Sequence, residues 1–143
     1  MNKTIFKNKQ HLNSTWYLID AKDKTLGRLA SKVAYLLRGK NSPFYSPESN
    51  LGNYVIIINS DQVVVAGKKD TQKIYKRHSG VLGGMKSETF KDLQARIPNR
   101  IVEQAIKGML PKGPLGRKLF TQLKVYSGEG HTHHAQTPKI INL

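Results

Sequence analysis

The chain has no cysteine, which excludes a disulfide framework and any thiolate metal site. It has no apolar run approaching the roughly 18 residues of a membrane-spanning helix. The longest such stretch, Tyr54-Val55-Ile56-Ile57-Ile58, suits a buried strand instead. The opening MNKTIFKNKQ lacks the apolar core of a secretory signal, so neither a leader nor a membrane partner is expected. Acids are scarce: Asp and Glu total 9 in 143 residues. No two of them have a spacing suited to general acid–base work, and no nucleophile elbow is present. Catalysis, a cofactor and a small-molecule substrate are therefore not expected.

Basic residues are abundant. Lys and Arg total 24, giving a net charge of +15 and a pI near 10.1. A field of that sign favours a polyphosphate partner. The 38% of hydrophobic and 8% of aromatic residues separate the chain from a disordered basic tail, because they supply enough apolar area to offset chain entropy. The length fits one domain. The preference for Lys over Arg, with many Asn and Ile, reads as the coding bias of an AT-rich bacterial or organellar genome.

Residues 1–14 read as a polar, basic arm, 15–126 as a globular α/β domain, and 127–143 as an extended polar tail. Trp16–Ile19 reads as a buried strand ending at Asp20. Thr25 is an N-cap candidate for a helix over Leu26–Arg38, stopped by Gly39. Leu26, Leu29, Ala30, Val33, Ala34 and Leu37 recur at helical spacing and form one apolar face, with Arg28, Lys32 and Tyr35 on the other side. The Gly-, Ser-, Asn- and Pro-rich stretch 39–53 reads as a loop before a second strand, Tyr54–Asn59. Strand, amphipathic helix and strand predict a βαβ unit with parallel strands. Val63–Val65 and Ile74–Tyr75 are weaker strand candidates. A helix is predicted over Glu88–Ile97, capped by Ser87, with Phe90, Leu93 and Ile97 on one face. Another is predicted from Pro98, with Ile101, Val102, Ala105, Ile106 and Met109 as its apolar side. Pro111 ends it, and a breaker-rich loop, PKGPLG, leads to Arg117–Leu123. An open α/β sheet with helices on both faces is the simplest architecture.

Four segments carry candidate chemistry. Lys68–His78, KKDTQKIYKRH, holds five Lys/Arg and one acid, with Tyr75 and His78 interleaved. Cations there neutralise phosphates, and an aromatic can stack on an unpaired base. Gly80–Ser87, GVLGGMKS, nearly matches the phosphate-cradling GxxxxGK[ST] loop, but Met85 occupies the position of the required second glycine. Nucleotide hydrolysis on this loop is the alternative from a different class. The simpler reading is a flexible turn, with Lys86 beside glycine amides open to an RNA phosphate. His131, His133 and His134 could ligate a metal, but no cysteine and only Glu129 accompany them, so contacts to RNA are preferred and no metal is expected. Lys107–Arg117, KGMLPKGPLGR, combines a helix end, two prolines, three glycines and cations. It is expected to hold Lys112 and Arg117 in fixed directions.

KGMLPKGPLGR and LKVYSGEGHTHHAQTP, preceded in order by WYLIDAKDKTLGRLAS and HSGVLGGMK, closely resemble the large-subunit ribosomal protein L13 family of bacteria and plastids. The resemblance covers nearly all of the chain from Trp16 onward. It implies a three-layer α/β/α fold around a small, mainly parallel sheet. It also implies binding to large-subunit ribosomal RNA early in subunit assembly, neighbouring large-subunit proteins as partners, and no catalysis. The expected location is the ribosome of a plastid stroma or bacterial cytoplasm, and the Lys/Asn-rich style is similar to algal plastid members. One departure stands at Asn53, where the family often has the acid of a TGDY-like run. The expected phosphate contacts are Lys40, Lys68, Lys69, Lys73, Lys76, Arg77, Lys86, Lys112, Arg117, Lys118 and Lys124. Tyr75, His78, His131 and His133 are candidates for stacking or hydrogen bonding.

Overall fold

The computed structural model describes residues 14–142. The expected basic arm lies outside them apart from Ser14. The predicted βαβ unit is present: strand β1 (Trp16–Asp20), helix α1 (Leu26–Arg38) and strand β2 (Tyr54–Ile58). The two strands are parallel, in register from Trp16 opposite Tyr54 to Asp20 opposite Ile58. All six residues of the predicted α1 face are buried, and Leu36 joins them. Thr25 holds the N-cap position through its backbone, accepting from the Leu29 amide, with no side-chain cap bond. At the other end Gly39 takes the left-handed conformation, φ +78°. A Cβ there would stand 2.6 Å from Cδ1 of Leu51, so both backbone and packing select glycine. Asn53 is buried, and its side-chain amide donates 3.0 Å to the Leu36 carbonyl. The amide thereby adds a second donor to an end carbonyl of α1 that the Gly39 amide already reaches, a donation that an ionised acid at this position lacks.

The remaining elements are helix α2 (Lys69–Gln72), strands β3 (Ile74–His78) and β4 (Met85–Thr89), helices α3 (Phe90–Arg96), α4 (Pro98–Met109) and α5 (Pro114–Thr121), and strands β5 (Leu123–Val125) and β6 (Lys139–Ile140). Strands β5, β2, β1 and β6 form one sheet in that order, with every pairing parallel. With helices packed on this small parallel sheet, the fold is of the three-layer α/β class. Alternation sends Tyr17, Ile19, Val55, Ile57 and Leu123 into one apolar cluster with residues of α1, α3, α4 and α5. Helix α4 packs on α1 and α3, burying Ile101, Val102 and Ile106. On the opposite face Trp16 and Tyr54 stack at 4.3 Å between centroids. The segment 127–143, expected as an extended tail, contributes the edge strand β6, and its His133 ring lies 5.1 Å from Trp16.

Three sequence expectations are corrected. The helix predicted over Glu88–Ile97 begins two residues later. Met85–Thr89 is a strand paired antiparallel with β3, so Ser87 is a strand residue, and the cap is Thr89, whose hydroxyl accepts from the Asp92 amide. Hydrogen bonding to β3 overrides local helical preference there. Ile97, placed on the apolar face of that helix, is 42% exposed at the junction of α3 and α4. The PKGPLG segment is only half loop: Pro114 is the first residue of α5, where a missing N–H is harmless and the fixed φ suits a helix. Leu123, at the end of that predicted run, is instead the first residue of β5. Val63–Val65 forms no strand, only an isolated parallel bridge between Val64 and Thr25.

Candidate nucleic-acid interface

The expected contact residues fall into groups set by the elements that carry them. The largest occupies α2, β3 and β4. Lys68, Lys69, Lys73, Lys76, Arg77, His78 and Lys86 are all exposed there. Their placement follows from a two-stranded ribbon whose register sets Arg77 directly opposite Lys86. Such neighbours stand about 5 Å apart at Cβ, and like charges so placed destabilise a ribbon. Neither has a carboxylate partner among the described residues. The adjacent Glu88 is bound by Arg96 at 2.6 Å. A polyanion lying across the ribbon would relieve this repulsion.

Tyr75 is turned inward. Its ring lies 6.5 Å from Phe90, with the Lys73 ammonium 5.2 Å from its centroid, and its hydroxyl is buried without a partner among the described residues. It anchors the ribbon to the core, so the expected stacking role does not suit this placement. His78 Nδ1 accepts from the Gly80 amide at 2.9 Å, which leaves Nε2 as its outward polar atom.

The Gly80–Ser87 segment is a hairpin connection. The Gly84 amide donates to the Val81 carbonyl at 2.9 Å, closing a tight turn with Gly83 at φ +72°. The Ser79 amide donates to the Gly84 carbonyl at 3.1 Å. A strand follows, where a phosphate-binding loop requires a helix N-terminus, and Lys86 belongs to that strand. The geometry for cradling a nucleotide is not formed. The Asp20 carboxyl is held below its ordinary pKa by the Lys22 amide and then by the Asn59 side chain, despite some opposing burial. It is a structural acceptor at the end of β1.

A second group, Lys112, Arg117 and Lys118, lies at the junction of α4 and α5, and all three are exposed. Arg117 sits on α5, not in a loop, and its amide donates to the Gly113 carbonyl. Of the prolines and glycines expected to fix this segment, Gly116 is buried in the first turn of α5 and lies against Pro111. A Cβ on Gly116 would fall 1.7 Å from the Pro111 carbonyl oxygen, so only glycine lets the two backbones meet. Arg117→Ala is accordingly expected to melt like the parent and to weaken RNA binding by about 1–3 kcal/mol. Thermal melting beside an RNA titration checks this. Early melting with unchanged affinity would make Arg117 a structural residue.

Lys40 is exposed just past α1, whereas Lys124 is half-buried in β5. His131 stacks on His134 at 4.2 Å, and its Nδ1 accepts from the His133 amide at 3.2 Å. Desolvation, then the nearby His134 and His133, pushes the His131 pKa below the ordinary imidazole range and disfavours its cationic form. His133 packs between Trp16 and Tyr126, which makes it a sheet-covering residue. Among the described residues no group of three His, Asp or Glu side chains is placed to hold a metal ion. No described helix is long and apolar enough to cross a membrane. The expected contacts leave out the outer face of α1, where Arg28 and Lys32 are exposed one turn apart. Its signal was available: cations at i and i+4 in a helix without a single acid.

Fold and surface together define a small, basic α/β protein that exposes positive charge on its helices and on the β3–β4 ribbon. The model of the family Ribosomal protein L13 matches residues 14–132. Similar proteins include the large ribosomal subunit protein uL13 of Rippkaea orientalis, 61% identical over 99% of this chain and 93% of that protein. The uL13 of Crocosphaera subtropica is 59% identical over all of this chain and 95% of its own length. That of Prochlorococcus marinus is 56% identical over the same shares. The chain belongs to the ribosomal protein L13 family, a structural and non-enzymatic one.

Proposed function

We propose that the chain is a structural constituent of the large ribosomal subunit that binds large-subunit ribosomal RNA. In that role it supports early subunit assembly and hence translation. The observation that carries this reading is the β3–β4 ribbon, where Arg77 and Lys86 face each other without a carboxylate partner among the described residues, in a member of a ribosomal family. Like-charged side chains held together on a rigid ribbon are matched to a phosphate backbone. Neighbouring large-subunit proteins are further partners. The relatives are cyanobacterial, which fits a ribosome of bacterial type, in a plastid stroma or a bacterial cytoplasm.

Tagged protein expressed in a cyanobacterium should sediment with the large subunit and its precursors at moderate salt. A protein that stays at the top of the gradient, or travels with free mRNA, would instead be a general nucleic-acid chaperone. ATP or GTP binding at micromolar affinity, lost in Lys86→Ala, would restore the enzyme reading of the Gly80–Ser87 segment.

A further inference from the structure

Two open grooves run along the outer side of α1 and share Ser31 and Tyr35, so they form one trough. Its first part, about 840 Å³, begins at Asp23 and Asn142; the second reaches Lys40 and Pro111. Arg28 and Lys32 line the first part, exposed one helical turn apart. Their side chains have no partner among the described residues. Like charges at this spacing destabilise a helix. Arg28 also sits in the first turn, where the helix dipole disfavours a cation. Packing does not explain either residue, since the buried face of α1 lies opposite. Tyr35 closes the series: its hydroxyl donates to the Lys40 carbonyl at 2.9 Å, which pins the side chain, and the residue is 42% exposed. A pinned, half-exposed ring between cations is suited to stack on a ribose or base.

We propose that this trough is a second RNA-binding surface, in which Arg28, Lys32 and Lys40 track a sugar–phosphate backbone and Tyr35 stacks against it. This rests on the ribosomal reading above and extends the contact surface from Lys40, already an expected contact, along the outer face of α1. RNA is favoured over a protein occupant because Asp23 is the only acid among the described lining residues, against several cations. Asp23 has φ +56°, a conformation that asparagine also adopts readily, so Asp23→Asn removes the charge without straining the turn.

The test uses full-length protein and in vitro transcribed cyanobacterial large-subunit rRNA. Arg28→Ala/Lys32→Ala should melt like the parent and bind about tenfold more weakly, and its log K against log salt slope should flatten by about 1.4–1.8. Asp23→Asn should bind a few-fold more tightly. Parental affinity and slope in both variants would overturn the proposal while leaving the ribosomal reading intact. Unchanged RNA affinity with loss of incorporation into subunits would assign the trough to a neighbouring protein and also overturn it. An early-melting double variant together with an unaltered Asp23→Asn would make the cations structural. Failure of the parent protein to bind the rRNA at all would remove the ribosomal reading itself.

Discussion

Affinity for large-subunit rRNA should fall by on the order of 10³–10⁵ as salt rises from about 50 to 200 mM, given about 6–10 phosphate contacts. The expectation follows from charge and its placement. The chain carries +15, and most of the proposed contact cations are exposed on α2, the β3–β4 ribbon and α5. Each phosphate neutralised releases counterions, so binding draws on the entropy of dilution of those ions, and added salt removes that drive. The slope of log K against log salt should be roughly 0.7–0.9 per contact. Arg77→Ala and Lys86→Ala should each reduce it by about one contact. The Arg77–Lys86 pair adds a second signature: removing either member in the free protein relieves cross-strand repulsion, so melting temperature should hold or rise slightly while RNA binding weakens. An affinity nearly independent of salt would mean that the charges face solvent and that another surface recognises the partner.

Stability should respond most to two substitutions under the basic surface. Ile106 is fully buried in α4, within the cluster that joins α4 to α1 and the sheet. Ile106→Ala leaves a cavity and should cost roughly 2–5 kcal/mol. Gly116→Ala should be at least as damaging by a different route. The atom it would strike is the Pro111 carbonyl oxygen, 1.7 Å away, and the Pro111 carbonyl carbon is 2.8 Å away. Both belong to backbone, which cannot swing aside like a long side chain. The turn between α4 and α5 must open, lifting Leu119 and Leu115 from the core. Gly113→Ala is the control. It has φ +113° but nothing within 4 Å of an added Cβ among the described residues, so it meets backbone strain alone, about 1–3 kcal/mol. Denaturant melts of the three variants should rank Gly113→Ala as the mildest. A Gly116→Ala protein as stable as the parent would show that the approach to Pro111 is not needed.

The sequence disclosed the βαβ unit almost to the residue, because α1 has a complete 3.6-residue apolar period and β2 is a continuous apolar run. The ribbon was only half visible. Ile74–His78 is mostly polar and exposed, so it lacks the alternation that marks a strand, and its partner Met85–Thr89 borrows its conformation from pairing, not propensity. Pro114 was read as a breaker because proline carries opposite meanings inside a helix and at its first residue, and only the location of the start distinguishes them. Within the interface, single cations were legible from composition and motif. The inward turn of Tyr75 and the packing of His133 on Trp16 were not, since both depend on contacts between residues far apart in sequence. Arg28 and Lys32 were in plain view on the polar side of α1, but an outer helix face carrying cations looks the same whether water or RNA lies against it.

Strand β6 has a consequence for the order of folding. Tyr17 pairs with Lys139 and Leu18 with Ile140, so the first strand is flanked by chain from the far end of the described residues. Until residue 140 has been synthesised, that flank of β1 presents unpaired amides and carbonyls, and closing it brings together residues of large sequence separation, a slow step. The nascent protein thus carries an adhesive sheet edge while the βαβ unit is already able to form. The strand that finally covers it is only two residues long, with Lys139 in the pair, and offers little template for another chain. Chains ending before Lys139 would keep the open edge, and their characteristic failure should be self-association, not simple loss of charge.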